Sequence, residues 1–114
     1  MAEYIYKICS VEEWRLAQHH GIFTGSKADV EDGYIHFSSI DLLESTVAKH
    51  FANQEGVILE IDPSDLPGIV WEEARGGHLF PHLYSSFDVS IVCDVYQLPA
   101  DLPSLMLRLS LIHI

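Results

Sequence analysis

The densest group of residues able to do chemistry lies between Trp71 and Tyr84, where carboxylates, histidines, an arginine and aromatic rings alternate around two glycines. This segment is too polar for a core and too aromatic for a solvated linker. Gly76 and Gly77 allow the backbone to turn or to approach a ligand closely, and Pro81 prevents a continuous helix. We therefore predict that the segment forms the wall of a pocket.

Three residues of this segment are candidates for a site. A carboxylate desolvated by the neighbouring Trp71 suits proton transfer or the stabilisation of a developing cation, so Glu72 is a catalytic candidate. In an extended strand His82 and Tyr84 share a face, so that one can hydrogen-bond a ligand while the other stacks on it. The alternatives are that Glu72 faces solvent or pairs with Arg75, and that His82 and Tyr84 belong to an aromatic core layer.

A further candidate, His36, lies between the apolar residues Ile35 and Phe37. Alternation along a strand turns His36 toward the side that Ser38 also faces. One side of this strand is then polar inside a small domain, which indicates a site. A structural histidine, hydrogen-bonded beneath a loop, is the alternative interpretation.

The histidines do not form a recognisable metal motif. His78 and His82 are four residues apart, a spacing that serves two ligands on a helix, but the two glycines and Pro81 argue against a helix there. Neither a cysteine pair nor a His-Glu-x-x-His pattern completes a shell. We therefore assign no metal ligands.

Composition narrows the class of protein. The chain has 114 residues, of which 48% are hydrophobic, enough for one compact domain. Its formal net charge of −11 repels nucleic-acid phosphates and anionic lipids, so we predict neither nucleic acid nor membrane as a partner. Cys9 and Cys93 each lie in an apolar, strand-like run, which favours reduced, buried thiols and a cytoplasmic location. The N-terminus lacks a signal-peptide pattern, and the sequence contains no apolar run of about 18 residues.

Two early helices and five or six short strands must position the candidate residues. Ser10 and Glu13 form a capping box that begins a helix ending at Gly21, and a second helix is predicted over residues 42–51. Residues 25–33 have turn formers at both ends and no apolar period, which predicts a surface loop. This order favours an α+β fold, a single small domain in which a curved sheet carries the helices on its outer side.

The C-terminal residues are apolar to the end, where a soluble domain usually finishes in polar sequence. Residues 109–114 resemble the translation of a transposase adaptor used in preparing sequencing libraries. This indicates a non-native tail that follows a domain over residues 1–108. A final edge strand is the alternative interpretation, and the sequence of the native locus distinguishes the two.

Two motifs together resemble a known family, Asp-Gly-Tyr-Ile-His-Phe-Ser at residues 32–38 and Phe-Pro-His-Leu-Tyr at residues 80–84. The chain resembles the small bacterial proteins grouped as domain-of-unknown-function family 952, over about residues 4–96. That family is similar in fold to ADP-ribosyltransferases, in which a split, curved sheet encloses a cleft that holds NAD in the active relatives. The resemblance thus implies an ADP-ribosyltransferase-like fold with a ligand cleft.

The resemblance also implies roles for individual residues. His36 takes the place of the aromatic residue that stacks on nicotinamide. Lys7 or Tyr6 of the first strand replaces the histidine or arginine that usually holds the ribose. Glu72 is the candidate for the glutamate that stabilises an oxocarbenium-like state during glycosidic cleavage.

These inferences lead to an expected function. We expect the chain to bind a small molecule, a nucleotide or an NAD derivative, with NAD as the substrate where ribosyl transfer or hydrolysis takes place. The alternatives are a non-catalytic ligand-binding or protein-interaction module on the same fold, and a hydrolase acting on another substrate. The expected site residues are His36, Glu72 and His82 for catalysis, and Lys7, Ser38, Arg75 and Tyr84 for ligand binding.

Overall fold

The computed structural model describes residues 3–112, apart from the side chains of Arg75 and of residues 109–112. Within these residues helices and short strands alternate along the chain. The helices are α1 (Val11–His20), α2 (Lys27–Asp32), α3 (Ile40–His50) and α4 (Leu102–Ile112). The strands are β1 (Ile5–Cys9), β2 (Ile22–Phe23), β3 (Ile35–His36), β4 (Ser38–Ser39), β5 (Gly56–Ile61), β6 (Val70–Glu73), β7 (Leu79–Leu83), β8 (Phe87–Asp88) and β9 (Val92–Leu98).

The strands form three antiparallel sheets in the described part of the chain. Four strands lie in the order β4-β1-β5-β9, three in the order β3-β7-β6, and β2 pairs with β8. In the three-stranded sheet His36 of β3 lies directly opposite His82 of β7. This arrangement confirms the predicted α+β class. The described residues form three antiparallel sheets and four helices, where one curved sheet and two early helices were predicted. The likeness to ADP-ribosyltransferases stays a prediction.

Apolar residues alternate across the four-stranded sheet and so build a core on each of its faces. Ile5 and Cys9 of β1 belong to one buried cluster, whereas Tyr6 and Ile8 belong to a second cluster that packs against α3 and α4. All six residues of β5 are buried because this central strand is covered on both faces. By the same alternation Lys7 points toward the face of the first cluster, where an ammonium group needs a partner.

The predicted start and end of α1 are confirmed. Ser10 and Glu13 form the capping box, and Gly21 closes the helix in the left-handed region at φ 81°. The second carboxylate oxygen of Glu13 also accepts a hydrogen bond from the backbone N–H of Lys27 at 2.8 Å. One side chain therefore joins the first turns of α1 and α2.

The prediction of a loop over residues 25–33 is wrong, because α2 occupies most of that segment. Ser26 and Asp29 form a second capping box, and Gly33 ends the helix at φ 86°. Asp29 is the one buried residue among the six that form α2. The sequence pattern does not indicate this helix, because its inward-facing residue, Asp29, is charged and the segment therefore has no apolar period.

Two further expectations require correction. The C-terminal segment is helical, so the alternative of a final edge strand is wrong. Helix α4 buries Leu105 against the second cluster and continues past residue 108. The assignment of residues 109–114 to a non-native tail stays a prediction. Residues 113 and 114 of the predicted tail lie outside the described residues. Cys93 is exposed rather than buried, because β9 is the edge strand of its sheet; Cys9 is buried, and both thiols are free. No helix within residues 3–112 is long and apolar enough to cross a membrane.

Candidate functional site

A cavity of about 420 Å³ opens between the two larger sheets, α2 and α3. Its size falls in the range typical of small-molecule sites. The wall combines aromatic rings with charged and hydroxyl-bearing side chains. The lining residues are Tyr6, Lys7, Ile8, Ser26, Ala28, Asp29, Asp32, Tyr34, His36, Phe37, Ser38, Thr46, Lys49, His50, Phe51, Ala74, Phe80 and His82.

A buried ion pair between Lys7 and Asp29 forms one side of this cavity. The Lys7 ammonium lies 2.9 Å and 2.8 Å from the two carboxylate oxygens of Asp29 and also donates to the carbonyl oxygen of His36 at 3.0 Å. Asp29 further accepts hydrogen bonds from the backbone N–H groups of Ser26, at 2.8 Å, and of His36, at 3.1 Å. Both charged side chains are almost completely buried, at 4% and 2% exposure. The pair fixes α2 to β1 and β3.

The surroundings of Asp29 favour its ionised form. Burial by itself raises the pKa of this carboxyl group, but hydrogen bonds from His36, the charge and hydrogen bonds of Lys7, and the N–H of Ser26 outweigh burial and hold the pKa well below its ordinary value. The carboxylate is therefore charged throughout the neutral range, and its negative charge balances Lys7 inside the wall.

His36 contacts a carboxylate through each ring nitrogen. Its Nδ1 lies 2.6 Å from Asp29 Oδ1, and its Nε2 lies 3.0 Å from Asp32 Oδ2. Both contacts are hydrogen bonds when both nitrogens carry a proton, so the imidazolium form satisfies the two acceptors together. The ring is about one-third exposed. His36 is thus placed to hold Asp29 and Asp32 of α2 in position.

Behind His82, on the neighbouring strand β6, one carboxylate oxygen of Glu72 accepts hydrogen bonds from two side chains. Nδ1 of His82 lies 2.7 Å from Glu72 Oε1, and the hydroxyl of Tyr84 donates to the same oxygen at 2.6 Å. The predicted common face of His82 and Tyr84 is confirmed by this shared partner. His82 is 5% exposed and lines the cavity, whereas Glu72 is not among the lining residues.

The expected desolvation of Glu72 by Trp71 is not observed. The glutamate is 38% exposed, and hydrogen bonds from Tyr84 and His82 lower its pKa below the ordinary value. The same bond to the carboxylate raises the pKa of Tyr84 to about 12. Glu72 is therefore an ionised carboxylate that orients its two partners.

Tyr34 joins these two polar groups into one aromatic cluster. Its ring centroid lies 4.5 Å from that of His36, 4.3 Å from that of His82 and 5.2 Å from that of Tyr84. Tyr34 and Asp29 also line a smaller cavity of about 240 Å³, together with Tyr84. The Tyr34 ring therefore separates two cavities. Its position two residues before His36, on the same face of an extended segment, is the signal that could have identified it.

The predicted site residues fall into several groups in the structure. Lys7, His36, Ser38 and His82 line the large cavity, and Glu72 supports His82 from behind. The Ser38 hydroxyl is buried and donates to the carbonyl oxygen of Ser39 at 3.1 Å. The Lys7 ammonium is already held by Asp29, so its role in ligand binding stays a prediction. The two remaining predicted residues are Tyr84, which lines the smaller cavity, and Arg75, whose side chain lies outside the described residues.

Sequence reasoning missed several residues of the wall. Asp29 and Asp32 were assigned to a surface loop, and α3 contributes a cavity-facing row that its apolar stripe did not suggest. The members of that row are Thr46, Lys49 and His50. Among the described residues no cluster of three or more His, Cys, Asp or Glu side chains is arranged to hold a metal ion.

Comparisons with known proteins agree with the motif resemblance. A family model described as "Protein of unknown function (DUF952)" matches residues 8–95. The crystal structure of protein CC0527 from Caulobacter crescentus is similar, with a TM-score of 0.79 and 41% sequence identity over 82% of this chain and 84% of that chain. The solution NMR structure of CC0527 has a TM-score of 0.70 and 40% identity, with 82% of each chain covered. No curated protein matches the chain.

Proposed function

The chain belongs to the DUF952 family of proteins of unknown function, and we propose that it binds a nucleotide or an NAD-like small ligand in the large cavity and that His82 moves a proton there. The observation that carries this proposal is the contact between His82 Nδ1 and Glu72 Oε1, at 2.7 Å, with the histidine on the wall of a cavity of about 420 Å³. A histidine held by a carboxylate at the wall of a concave, partly aromatic cavity is a common arrangement for acid–base chemistry.

Glu72 and His82 have distinct roles in this proposal. When Nδ1–H of His82 donates to Glu72, Nε2 of the neutral ring is the basic nitrogen. This nitrogen takes a proton from a water molecule as the water oxygen bonds to the anomeric carbon of a ribosyl group. The glycosidic bond breaks, and its electron pair leaves with nicotinamide, which departs as a neutral molecule, or with a nucleobase, which then takes up a proton from solvent. The negative charge of Glu72 then stabilises the imidazolium that has formed. In a transfer reaction an acceptor hydroxyl replaces the water.

A stacking surface supports a ligand that contains a flat ring. Tyr34, His36 and Phe80 present aromatic faces or edges to the cavity, and Phe37 is buried in its wall. Aromatic side chains contact bases and nicotinamide-like rings favourably through offset stacking or edge-to-face packing. The finer likeness to ADP-ribosyltransferases is part of this proposal.

A second candidate function is ligand binding without catalysis. The observation that favours it is the buried pairing of Lys7 with Asp29, because a first-strand cation that is already neutralised has less capacity to hold a ribose. Under this alternative Glu72 and His82 shape the cavity but transfer no proton.

Ligand-observed NMR against NAD, ADP-ribose, nicotinamide and adenosine monophosphate tests both candidates in one series. We expect saturation transfer to at least one of these compounds, and release of free nicotinamide from NAD if the pair is catalytic. Glu72→Gln should slow that release at least about tenfold, whereas Glu73→Gln, an exposed neighbour with the same change of charge, should not.

The outcomes separate the two functions. Binding without any release by the wild-type protein favours the non-catalytic module. Equal release by the Glu72 and Glu73 variants contradicts the assigned proton transfer. A folded protein that binds none of the four compounds overturns the proposed ligand class.

A further inference from the structure

The last turns of α3 present a polar face to the large cavity. Thr46, Lys49 and His50 are spaced as i, i+3 and i+4, which places them on one side of a helix, and all three line the cavity. Lys49 is exposed and lines the wall at the same time, so it lies at the mouth. Its ammonium group makes no hydrogen bond or ion pair with another described side chain, in contrast to that of the buried Lys7.

The charges around the cavity differ from those of the whole chain. The protein has a formal net charge of −11, yet two of its six Lys and Arg residues line this one cavity. Lys7 and Lys49 equal the two lining aspartates in number, and any proton on His36 or another lining histidine adds positive charge. Asp29 and Asp32 are both held by cations or imidazole nitrogens within the wall. A neutral or positive cavity in a strongly acidic protein favours an anionic ligand.

The inner wall of the cavity is apolar, in contrast to its polar mouth. Phe37 and Phe80 are buried, with 3% and 8% exposure, and contribute apolar surface to the cavity. A ligand with an uncharged ring and a charged group therefore lowers its free energy most with the ring inside and the charged group at the mouth, where water still reaches it.

We infer that Lys49 determines the specificity of this site, by binding the anionic group of the ligand, a phosphate or a carboxylate, at the mouth of the cavity while the ring of the ligand lies inside. This inference rests on the proposed function, to which it adds the orientation of the ligand and the residue that selects its charge. An ammonium group binds such an anion through a charge-assisted hydrogen bond.

Adenosine monophosphate and adenosine are the probes that test this inference, because they differ only in the phosphate. Isothermal titration calorimetry of the wild-type protein should give at least about tenfold tighter binding of the monophosphate, the effect expected for one charge-assisted hydrogen bond. Lys49→Met should remove that preference and leave the affinity for adenosine unchanged. Lys49→Arg, which keeps the charge, should restore most of it.

Lys27→Met is the matched control. Lys27 is an exposed lysine that is not among the residues lining the cavity, so its replacement changes the net charge equally without removing a lining side chain. We expect its preference for the monophosphate to equal that of the wild type, because Lys27 does not line the cavity although its neighbours Ser26 and Ala28 do.

Each result other than the expected one overturns a specific statement. Equal wild-type affinities for the two probes overturn the anion preference but leave the ligand site standing. Equal losses in the Lys49 and Lys27 variants show an effect of net charge and overturn the role of Lys49. A Lys49 variant that binds both probes equally weakly shows a structural role instead. Failure of both probes to bind the wild-type protein overturns this inference, and the proposed function falls with it only when NAD, ADP-ribose and nicotinamide also fail to bind.

Discussion

Replacing Asp29 by Asn tests whether a buried carboxylate holds the cavity wall together. The substitution keeps the size of the side chain and removes its charge. It leaves the Lys7 ammonium, 4% exposed, without a counter-charge. It also replaces one acceptor oxygen by an amide N–H₂ group, which cannot accept the hydrogen bonds that Asp29 accepts in the wild type from Lys7, His36 and the N–H of Ser26. Breaking a buried ion pair from one side costs about 3–5 kcal/mol, so we expect a loss of that size in the free energy of unfolding.

The assay is urea unfolding at pH 7, followed by the fluorescence of the buried Trp14. Glu31→Gln is the control, because this exposed residue lies on the same helix and its loss of charge should change stability by no more than about 0.5 kcal/mol. The double variant Lys7→Met with Asp29→Asn should regain part of the loss, since neither charge is then left buried alone. A loss below about 1 kcal/mol for Asp29→Asn, or a double variant that loses the full sum of the two single losses, would refute the reasoning.

Acid titration examines the same carboxylate by a second route. The folded-state pKa of Asp29 lies below the ordinary value of 3.8, so the ionised group stabilises the fold above that value, and this stabilisation is lost as the pH falls through the folded pKa. The wild-type protein should therefore lose stability more steeply than the Asn variant when urea unfolding is repeated from pH 5 downward. Parallel acid profiles would show that another group is responsible.

Three further predictions concern the scaffold. In the native protein a thiol reagent should modify the exposed Cys93 at once but Cys9 only on unfolding, because burial raises the pKa of Cys9 to about 12. Rapid modification of both cysteines in the native protein would contradict this. Gly56→Ala should lower the free energy of unfolding by about 1–3 kcal/mol, since the added Cβ meets the Cys9 carbonyl oxygen at 2.9 Å. An unchanged midpoint of urea unfolding would show that β1 and β5 can move apart to accommodate the methyl group. Ser10→Ala should lower the free energy of unfolding by about 1 kcal/mol in the same assay, because it removes the cap of α1. An unchanged free energy of unfolding would show that the capping box does not stabilise the protein.

Local signals made part of the fold predictable. The capping box at Ser10 and the left-handed Gly21 define α1 within a few neighbouring residues, and alternating apolar residues define the central strands. The exposure of Cys93 is a feature that such local signals do not predict. Its strand alternates as a buried strand would, but whether a strand lies at the edge of a sheet depends on pairing with distant segments.

The candidate site was predictable in its individual residue types but not in its partnerships. His36 and His82 stood out because each interrupts an apolar strand. The contact of Lys7 with Asp29 joins residues 22 positions apart, and neither position carries a local signal for it. The carboxylate was assigned to a loop because the pattern of buried residues assumes that they are apolar. A buried charge with a partner supplied by the fold breaks that assumption.

The attachment of α2 has a consequence for how the protein opens. This helix of six residues is too short to be stable alone, and it is held on one side by Asp29 and at its first turn by Glu13. Both attachments are carboxylates, whereas α1 and α3 are held by apolar side chains packed in the two core clusters. We therefore expect the cavity wall formed by α2 to open as a separate unit of stability, which only strongly acidic conditions release through Asp29, because the pKa of this carboxyl group lies well below its ordinary value. In hydrogen exchange at low pH, the amides of α2 should become accessible before those of β5.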